Sequence, residues 1–226
     1  VGGKVGVNLT GGKNLVGAFH QPALVLTDPD VLQTLPRREF RAGIYEVIKY
    51  GVACSRALFE RLQGGLGPIS RRDVATLVPV IADCCRIKAA IVGSDEREAG
   101  PRRLLNFGHT AGHALESLTR YQRFLHGEAV AYGMLVAAEL AVGRAVMSAD
   151  DRDALASLIA QLGPLPPLGD LSAPAMIEQM RRDKKVREGR LYMVLPAAIG
   201  TASIVEDVSD DELMRGLTAV GFAESA

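Results

Sequence analysis

Apolar residues change their period along the chain. Up to about residue 35 they alternate or gather in short runs: VGVNLT, a GGKN turn, then ALVLTD ending in the turn-prone DPD. Alternation broken by glycine and proline is the pattern of strands and tight turns, so this stretch reads as α/β. From Glu39 to about Gly163 the apolar positions recur every three or four residues, in EFRAGIYEVIKYGV, SRALFERLQ, RRDVATLVPVIADCCRIKAAIVGSDE, HTAGHALESLTR, GEAVAYGMLVAAELAVGRAVM and ADDRDALASLIAQLG. That period places apolar side chains on one helical face and predicts a helical body. Pro164, Pro166 and Pro167 mark a loop, and SAPAMIEQMRRDKKV predicts a further helix with Ser172 near its N-cap. GRLYMVLP and TASIVED predict a β-hairpin across AAIG, followed by a last helix from about Ser209 to Val220. The pattern gives a mainly α chain with an α/β segment in front and a small hairpin behind.

Composition narrows the function classes. With 48% of 226 residues apolar, the chain can bury the core of one large or two modest domains. Lysine plus arginine balances aspartate plus glutamate, 26 against 26, so no overall field draws the protein to nucleic acid or to an anionic membrane, and any basic site is local. Cys54, Cys84 and Cys85 are odd in number and include an adjacent pair, which points to reduced thiols and a cytoplasmic setting. No apolar run reaches the length of a membrane span, and VGGKVGVN is not a signal peptide. The chain opens on Val1 in a Gly-Gly-Lys turn, and a further segment is expected upstream.

The candidate chemistry is concentrated in histidine and lysine. Three of the four histidines, His109, His113 and His126, fall within 18 residues, and Glu46 lies on an earlier helical stretch. One histidine alone reads as a core or surface residue. Several neutral imidazoles and a carboxylate together are ligands for a borderline divalent ion such as zinc, and three protein ligands with one open position describe a catalytic site. Spacing favours His109 and His113 as the ligand pair, because residues four apart share a helical face, and it leaves open whether His126 replaces one of them. Lys4, Lys13, Lys49, Lys88, Arg102, Arg103, Lys184 and Lys185 lie in apolar or turn settings. Lys49 shares a helical face with Glu46, and the flanks of Lys88 imply a partly buried stem. Cations gathered near a metal require anions between them, as a ligand bearing both phosphate and carboxylate would supply. The turns of GGKVGVNLTGGKN match neither the dinucleotide nor the P-loop glycine pattern.

In this order the segments GGKVGVN, GKNLVGAFHQP, TLPRREFRAGIYEVIKYG, IKAAIVGSDEREAG, LLNFGHTAGHALE, LHGEAVAYGM and RRDKKVREGRLYMVLPAAIG resemble the 3-dehydroquinate synthase family over nearly the whole chain. The resemblance implies the C-terminal, helical metal-binding domain of that fold over residues 37–226. Residues 1–36 would be a remnant of the N-terminal α/β NAD-binding domain. It implies conversion of 3-deoxy-D-arabino-heptulosonate 7-phosphate to 3-dehydroquinate and phosphate, with NAD and Zn2+ or Co2+ as cofactors. By the same resemblance Glu46, His109 and His126 bind the metal, and His113 faces the substrate. Lys49, Lys88, Arg102 and Asn106 join His113 as catalytic positions, and Lys4, Asn14, Lys184 and Lys185 bind substrate. Lys4, Lys13 and the segment Val31, Leu32, Gln33 and Thr34 match NAD-contacting positions.

The partner is then a small phosphorylated sugar acid, with neither nucleic acid nor membrane, and the full-length form is expected to be a homodimer. Tyr45 stands where the family has a small residue, and His20 where it has an aromatic one. A different sugar-phosphate cyclase, such as 2-deoxy-scyllo-inosose synthase, is the alternative that keeps the metal site. Arg102, Asn106 and His113 together favour dehydroquinate synthase. A dehydrogenase of the glycerol dehydrogenase type lacks a doubly anionic substrate, and a non-enzymatic helical domain would bind no stoichiometric metal. Most pyrophosphate contacts are expected upstream, so the chain alone is expected to have little activity and weak NAD binding. In a calorimetric titration with NAD, micromolar affinity would overturn that expectation.

Overall fold

A computed structural model of the chain describes residues 1–9, 12–96, 100–182, 186–187 and 190–225. An antiparallel hairpin, β1 (Lys4–Leu9) and β2 (Gly12–Phe19), opens the chain, with Val5 opposite Ala18 and Val7 opposite Val16. A short 3-10 turn (Pro29–Thr34) leads into α1 (Arg37–Cys54), α2 (Arg56–Ser70) and α3 (Val74–Ser94). A second 3-10 turn (Pro101–Asn106) precedes α4 (His109–Leu118), α5 (His126–Gly143), α6 (Ala149–Gln161) and α7 (Ala173–Arg182). The short pair β3 (Val186–Arg187) and β4 (Arg190–Leu191) and the hairpin β5 (Met193–Ala198) and β6 (Thr201–Val205) follow, and α8 (Asp210–Val220) closes the chain. The mainly helical class expected from the periodicity is the class observed.

Helix α5 is the axis of the body. Its residues are apolar around most of the circumference, so it is buried on nearly all sides and packs against α1, α4, α6, α8 and β5. The helix starts follow side-chain caps: Ser55, Asp73 and Ser148 accept from the first turns of α2, α3 and α6, and Ser209 forms a reciprocal capping box with Glu212 at α8. Arg144, just past α5, reaches both carboxylate oxygens of Glu212 at 2.6 and 3.0 Å and ties that axis to α8. Among the described residues no helix is long and apolar enough to cross a membrane.

Three local readings are corrected. ALVLTD forms no strand, and Leu24 and Leu26 are 72% and 86% exposed, because among the described residues no neighbouring strand supplies a hydrogen-bonded ladder to an extended run. Gly12, Lys13 and Asn14 belong to β2 rather than to a turn. The helix expected through Val186 does not include it: α7 spans Ala173–Arg182, and Val186 pairs with Leu191 in β3–β4. Of the remaining elements, α2 runs to Ser70, seven residues past the expected SRALFERLQ, and the others appear within a few residues of their expected bounds. Ser172 also caps as expected, its Oγ accepting from the Ala175 amide at 3.3 Å.

The helices that carry Glu46, His109 and His126 approach one another through glycine. A Cβ on Gly127 would lie 1.9 Å from the Ala42 carbonyl oxygen of α1, and one on Gly133 would lie 1.9 Å from the Gly108 carbonyl oxygen. Gly108 has a left-handed φ of 75°, which only glycine adopts without strain. Gly127→Ala is therefore expected to push α5 from α1 and destabilise the chain by about 1–3 kcal/mol. Gly64→Ala, in open space on α2, is expected to be neutral or to stabilise it by up to ~1 kcal/mol. Urea unfolding midpoints check both, and equal midpoints for the two variants would contradict the packing argument.

Candidate metal centre

Four candidate donors converge from three helices. Glu46 projects from α1 one helical turn beyond Ala42, His109 and His113 from successive turns of α4, and His126 from the first residue of α5. Glu46 Oε1 is 3.6 Å from His109 Nε2 and 3.7 Å from His126 Nε2. Ligand atoms bonded at ~2.0–2.1 Å around a tetrahedral ion lie roughly 3.3–3.4 Å apart, so these separations approach the edge of such a tetrahedron. One donor atom from each of His109, His113 and His126 lies within 4.8 Å of the others. The His113 ring centroid is 5.3 Å from that of His109 and 5.7 Å from that of His126.

Hydrogen bonds on the far side of each ring set the near side. His109 Nδ1 is 3.0 Å from the Phe107 carbonyl oxygen, which can only accept, so Nδ1 carries the proton and Nε2 presents a lone pair. His126 Nδ1 is 3.0 Å from Glu116 Oε2, with the same consequence when that carboxyl is ionised. Burial, and after it the Lys49 ammonium, hold the His109 imidazole well below its ordinary pKa and keep it neutral. Glu46 Oε1 is buried and has no hydrogen-bond partner among the described residues, while Oε2 accepts from Lys49 Nζ at 2.6 Å. A carboxylate oxygen and two nitrogen lone pairs facing one another without a hydrogen between them fit a cation, and the oxygen–nitrogen donor set fits a borderline divalent one.

A group of cations borders these donors. Lys49 and Arg102 are buried. Arg102 reaches back to the Gly2 carbonyl oxygen at 3.0 Å, and a Cβ on Gly2 would meet both Lys88 and Arg102. Burial first, and then Lys49 and Arg102, push the Lys88 ammonium below its ordinary value, with Lys4 adding to the effect. The structure therefore draws Lys4, Lys49, Lys88 and Arg102 into one electrostatic neighbourhood. Asn106 ends the 3-10 turn just before α4. Val31, Leu32, Gln33 and Thr34 lie elsewhere: Gln33 bonds the carbonyl of Arg72, two residues before α3, whose first residue, Val74, is roughly 21 Å along the helix from Lys88 at 1.5 Å per residue. Lys184 and Lys185 lie outside the described residues, as do the side chains of Lys13 and Asn14.

Two features of the site were missed in the sequence. Glu116 is 4% exposed and backs His126, although it closes the very stretch, LLNFGHTAGHALE, that singled out the histidines. Its signal was its place three residues after His113 on the same helical face. Glu128 accepts from Arg38 Nε and Nη2 at 2.7 Å each and from the Leu125 amide at 2.9 Å, which fixes the start of α5. Its signal was a glutamate three residues into a helix, the position of a capping box. Tyr45, which departs from the family pattern, is fully buried, and its hydroxyl lies 3.4 Å from Arg41 Nη2.

Known proteins share this arrangement of elements. The model of the 3-dehydroquinate synthase C-terminal domain matches residues 43–186, and that of the N-terminal domain matches residues 1–42. A 3-dehydroquinate synthase of Solibacter usitatus is 44% identical over 97% of this chain and 62% of its own length. One from Synechococcus sp. is 48% identical over 96% of this chain and 59% of its own. Among solved structures, 2-epi-5-epi-valiolone synthase from Streptomyces hygroscopicus, with NAD+ and Zn2+ bound, superimposes with a TM-score of 0.86 at 29% identity, covering 97% of this chain and 61% of that one. 2-Deoxy-scyllo-inosose synthase complexed with carbaglucose-6-phosphate, NAD+ and Co2+ gives 0.80 at 26% identity, covering 97% and 62%. The chain spans about six-tenths of the length of the relatives it matches. Its helical body, its converging imidazoles and the family match over residues 43–186 establish that the chain belongs to the 3-dehydroquinate synthase family.

Proposed function

We propose that this chain carries the metal- and substrate-binding part of a 3-dehydroquinate synthase of the shikimate pathway, acting on 3-deoxy-D-arabino-heptulosonate 7-phosphate. The observation that carries the reading is the donor cluster of Glu46, His109 and His126 set against the cations Lys49, Lys88 and Arg102. The unpartnered Oε1 of Glu46, close to both Nε2 atoms, supports Glu46 over His113 as the third ligand. When bound, Zn2+ or Co2+ supplies Lewis acidity at a hydroxyl or ketone oxygen and NAD supplies a hydride acceptor and donor.

The chain's own residues do the rest. Lys49 neutralises one oxygen of Glu46 and presents a buried positive charge beside the ligand site. Lys88 and Arg102 hold anionic groups, Arg102 as a planar fork and Lys88 as a point charge. Burial, and after it the charges of Lys49 and Arg102, depress Lys88, and a phosphate and a carboxylate on one substrate would offset the repulsive part. His113, one turn beyond His109, faces the substrate and exchanges a proton with it or with the departing phosphate. Asn106, Lys4, Asn14, Lys184 and Lys185 are assigned to substrate, and Lys13 and the Val31–Thr34 segment with Lys4 to NAD, on the family pattern. Residues 1–36 belong on this reading to the nucleotide domain and 37–226 to the metal domain. The same pattern supports a cytoplasmic homodimer, and the half-buried free thiols of Cys54, Cys84 and Cys85 agree with a reducing compartment.

The solved neighbours are cyclases of other sugars, so the fold alone does not set the substrate. Identities of 44% and 48% to dehydroquinate synthases, against 29% and 26% to those neighbours, favour dehydroquinate synthase. Metal analysis of the purified chain is expected to find about one equivalent of zinc or cobalt, lost in a Glu46→Ala, His126→Ala double variant. Metal retained in the variant would overturn the ligand assignment. In the complete enzyme, phosphate release is expected from the seven-carbon phosphorylated acid and not from glucose 6-phosphate. Lys88→Ala is expected to lower kcat/KM for the acid by about 10- to 100-fold, the loss of a charge-assisted contact. Turnover of glucose 6-phosphate at a comparable rate would favour an inosose-type cyclase instead.

A further inference from the structure

His109 and His126 face Glu46 with the same atom but are held very differently. The His109 side chain is 12% exposed and begins the buried helix α4, where packing limits its rotation. The His126 side chain is 43% exposed at the first residue of α5, with solvent on one side. An exposed imidazole samples several rotamers and both neutral tautomers, and only one combination turns an Nε2 lone pair toward Glu46. Between His126 and that freedom stands the hydrogen bond from Nδ1 to Glu116 Oε2 at 3.0 Å.

Glu116 is costly to keep where it is. Its side chain is 5% exposed, and a buried carboxylate survives only with compensating partners. The chain reverses between α4 and α5 through Arg120 and Tyr121, both at left-handed φ values, 55° and 58°, and the Tyr121 amide donates to the Glu116 carbonyl at 2.7 Å. That reversal returns His126 to the Glu116 carboxylate. At the other end of the reversal, Glu128 fixes the first turn of α5 by accepting from the Leu125 amide and from Arg38. The backbone of His126 is thus set by Glu128 and its ring by Glu116.

We infer that Glu116 is the positioning residue of the metal centre: its buried carboxylate selects the His126 tautomer and rotamer that present Nε2 beside Glu46. This rests on the metal reading proposed for the site, and it extends that reading to a residue that itself touches neither metal nor substrate. The negative charge behind the ring also strengthens the pull of Nε2 on a cation, as carboxylates behind metal-bound imidazoles do. His109 has a neutral carbonyl in the corresponding place, so the two imidazoles are not equivalent, and the more exposed one has the charged support.

The test uses the 226-residue chain with Glu116→Ala and Glu116→Gln variants. Zinc affinity is read by competition with a chromophoric chelator. The His126 tautomer is read from imidazole 15N shifts of the metal-free chain. Glu116→Ala is expected to weaken zinc binding 10- to 100-fold and to move His126 from the Nδ1–H tautomer toward a mixture. Glu116→Gln keeps an acceptor but loses the charge, so it is expected to retain the Nδ1–H tautomer and to lose less affinity. Wild-type affinity in the Ala variant, or an unchanged tautomer there, would overturn the inference. If the Ala variant does not fold, the Gln variant decides, and a mixed tautomer with undiminished zinc affinity overturns it. A wild-type chain that binds no zinc refutes the metal reading, while the tautomer shift still reports whether Glu116 orients His126.

Discussion

Three electron-pair donors with no hydrogen between them govern this structure. Glu46 Oε1 lies within 3.7 Å of two imidazole nitrogens, and the carbonyl and carboxylate behind those rings leave both nitrogens as acceptors. Such a cluster repels itself unless a cation joins it, so the fold must hold it by force of packing. Helices α1, α4 and α5 do so by coming closer than side chains ordinarily allow. Gly127 admits the Ala42 carbonyl and Gly133 admits the Gly108 carbonyl, at separations that a Cβ would forbid. The apolar circumference of α5 lets α1, α4, α6 and α8 all close upon it, and the donors are carried inward with them.

The cations follow from the same constraint. Lys49 is 5% exposed and bonds the second oxygen of Glu46, which leaves that pair nearly neutral. A divalent ion added to it would then face Lys49, Lys88 and Arg102 together. Four positive groups in a partly desolvated space are tolerable only with negative charge brought by a ligand. Burial, and after it Lys49 and Arg102, already depress Lys88.

Much of the fold was legible because helical periodicity is local. The runs that predicted α1 to α6 needed only neighbours three and four residues away, and the cap expected at Ser172 likewise needed only the Ala175 amide three residues on. ALVLTD misled because a strand is made by its partner, and apolar content alone does not provide one. The site was legible in kind but not in membership. Spacing paired His109 with His113, the two that share a helix, whereas the atoms nearest Glu46 include His126, brought in by the crossing of α1 and α5. That crossing depends on Gly127 meeting Ala42, 85 positions apart, and no local window contains it. Glu116 shares a helical face with His113, but on α4 alone it reads as a solvated charge, and only the return of the chain to His126 buries it.

The bond between Arg38 and Glu128 completes the logic. Arg38 lies on α1 two turns before Glu46, and Glu128 lies on α5 two residues after His126. Their bidentate pair therefore joins the same two helices whose register places Glu46 against His126. The pair is asymmetric, with the Arg38 side chain 52% exposed and that of Glu128 3% exposed, so its Coulombic value alone is modest. Its importance lies in what its loss would leave behind. Without Arg38, Glu128 would be a buried carboxylate with only the Leu125 amide, among the described residues, to satisfy it, in the turn that presents His126. Arg38 Nη2 also donates to the Arg123 carbonyl at 2.8 Å, so one guanidinium holds both the end of the α4–α5 reversal and the start of α5. Two carboxylates thus act on His126 in different ways, Glu128 by setting where the ring begins and Glu116 by setting which way it turns.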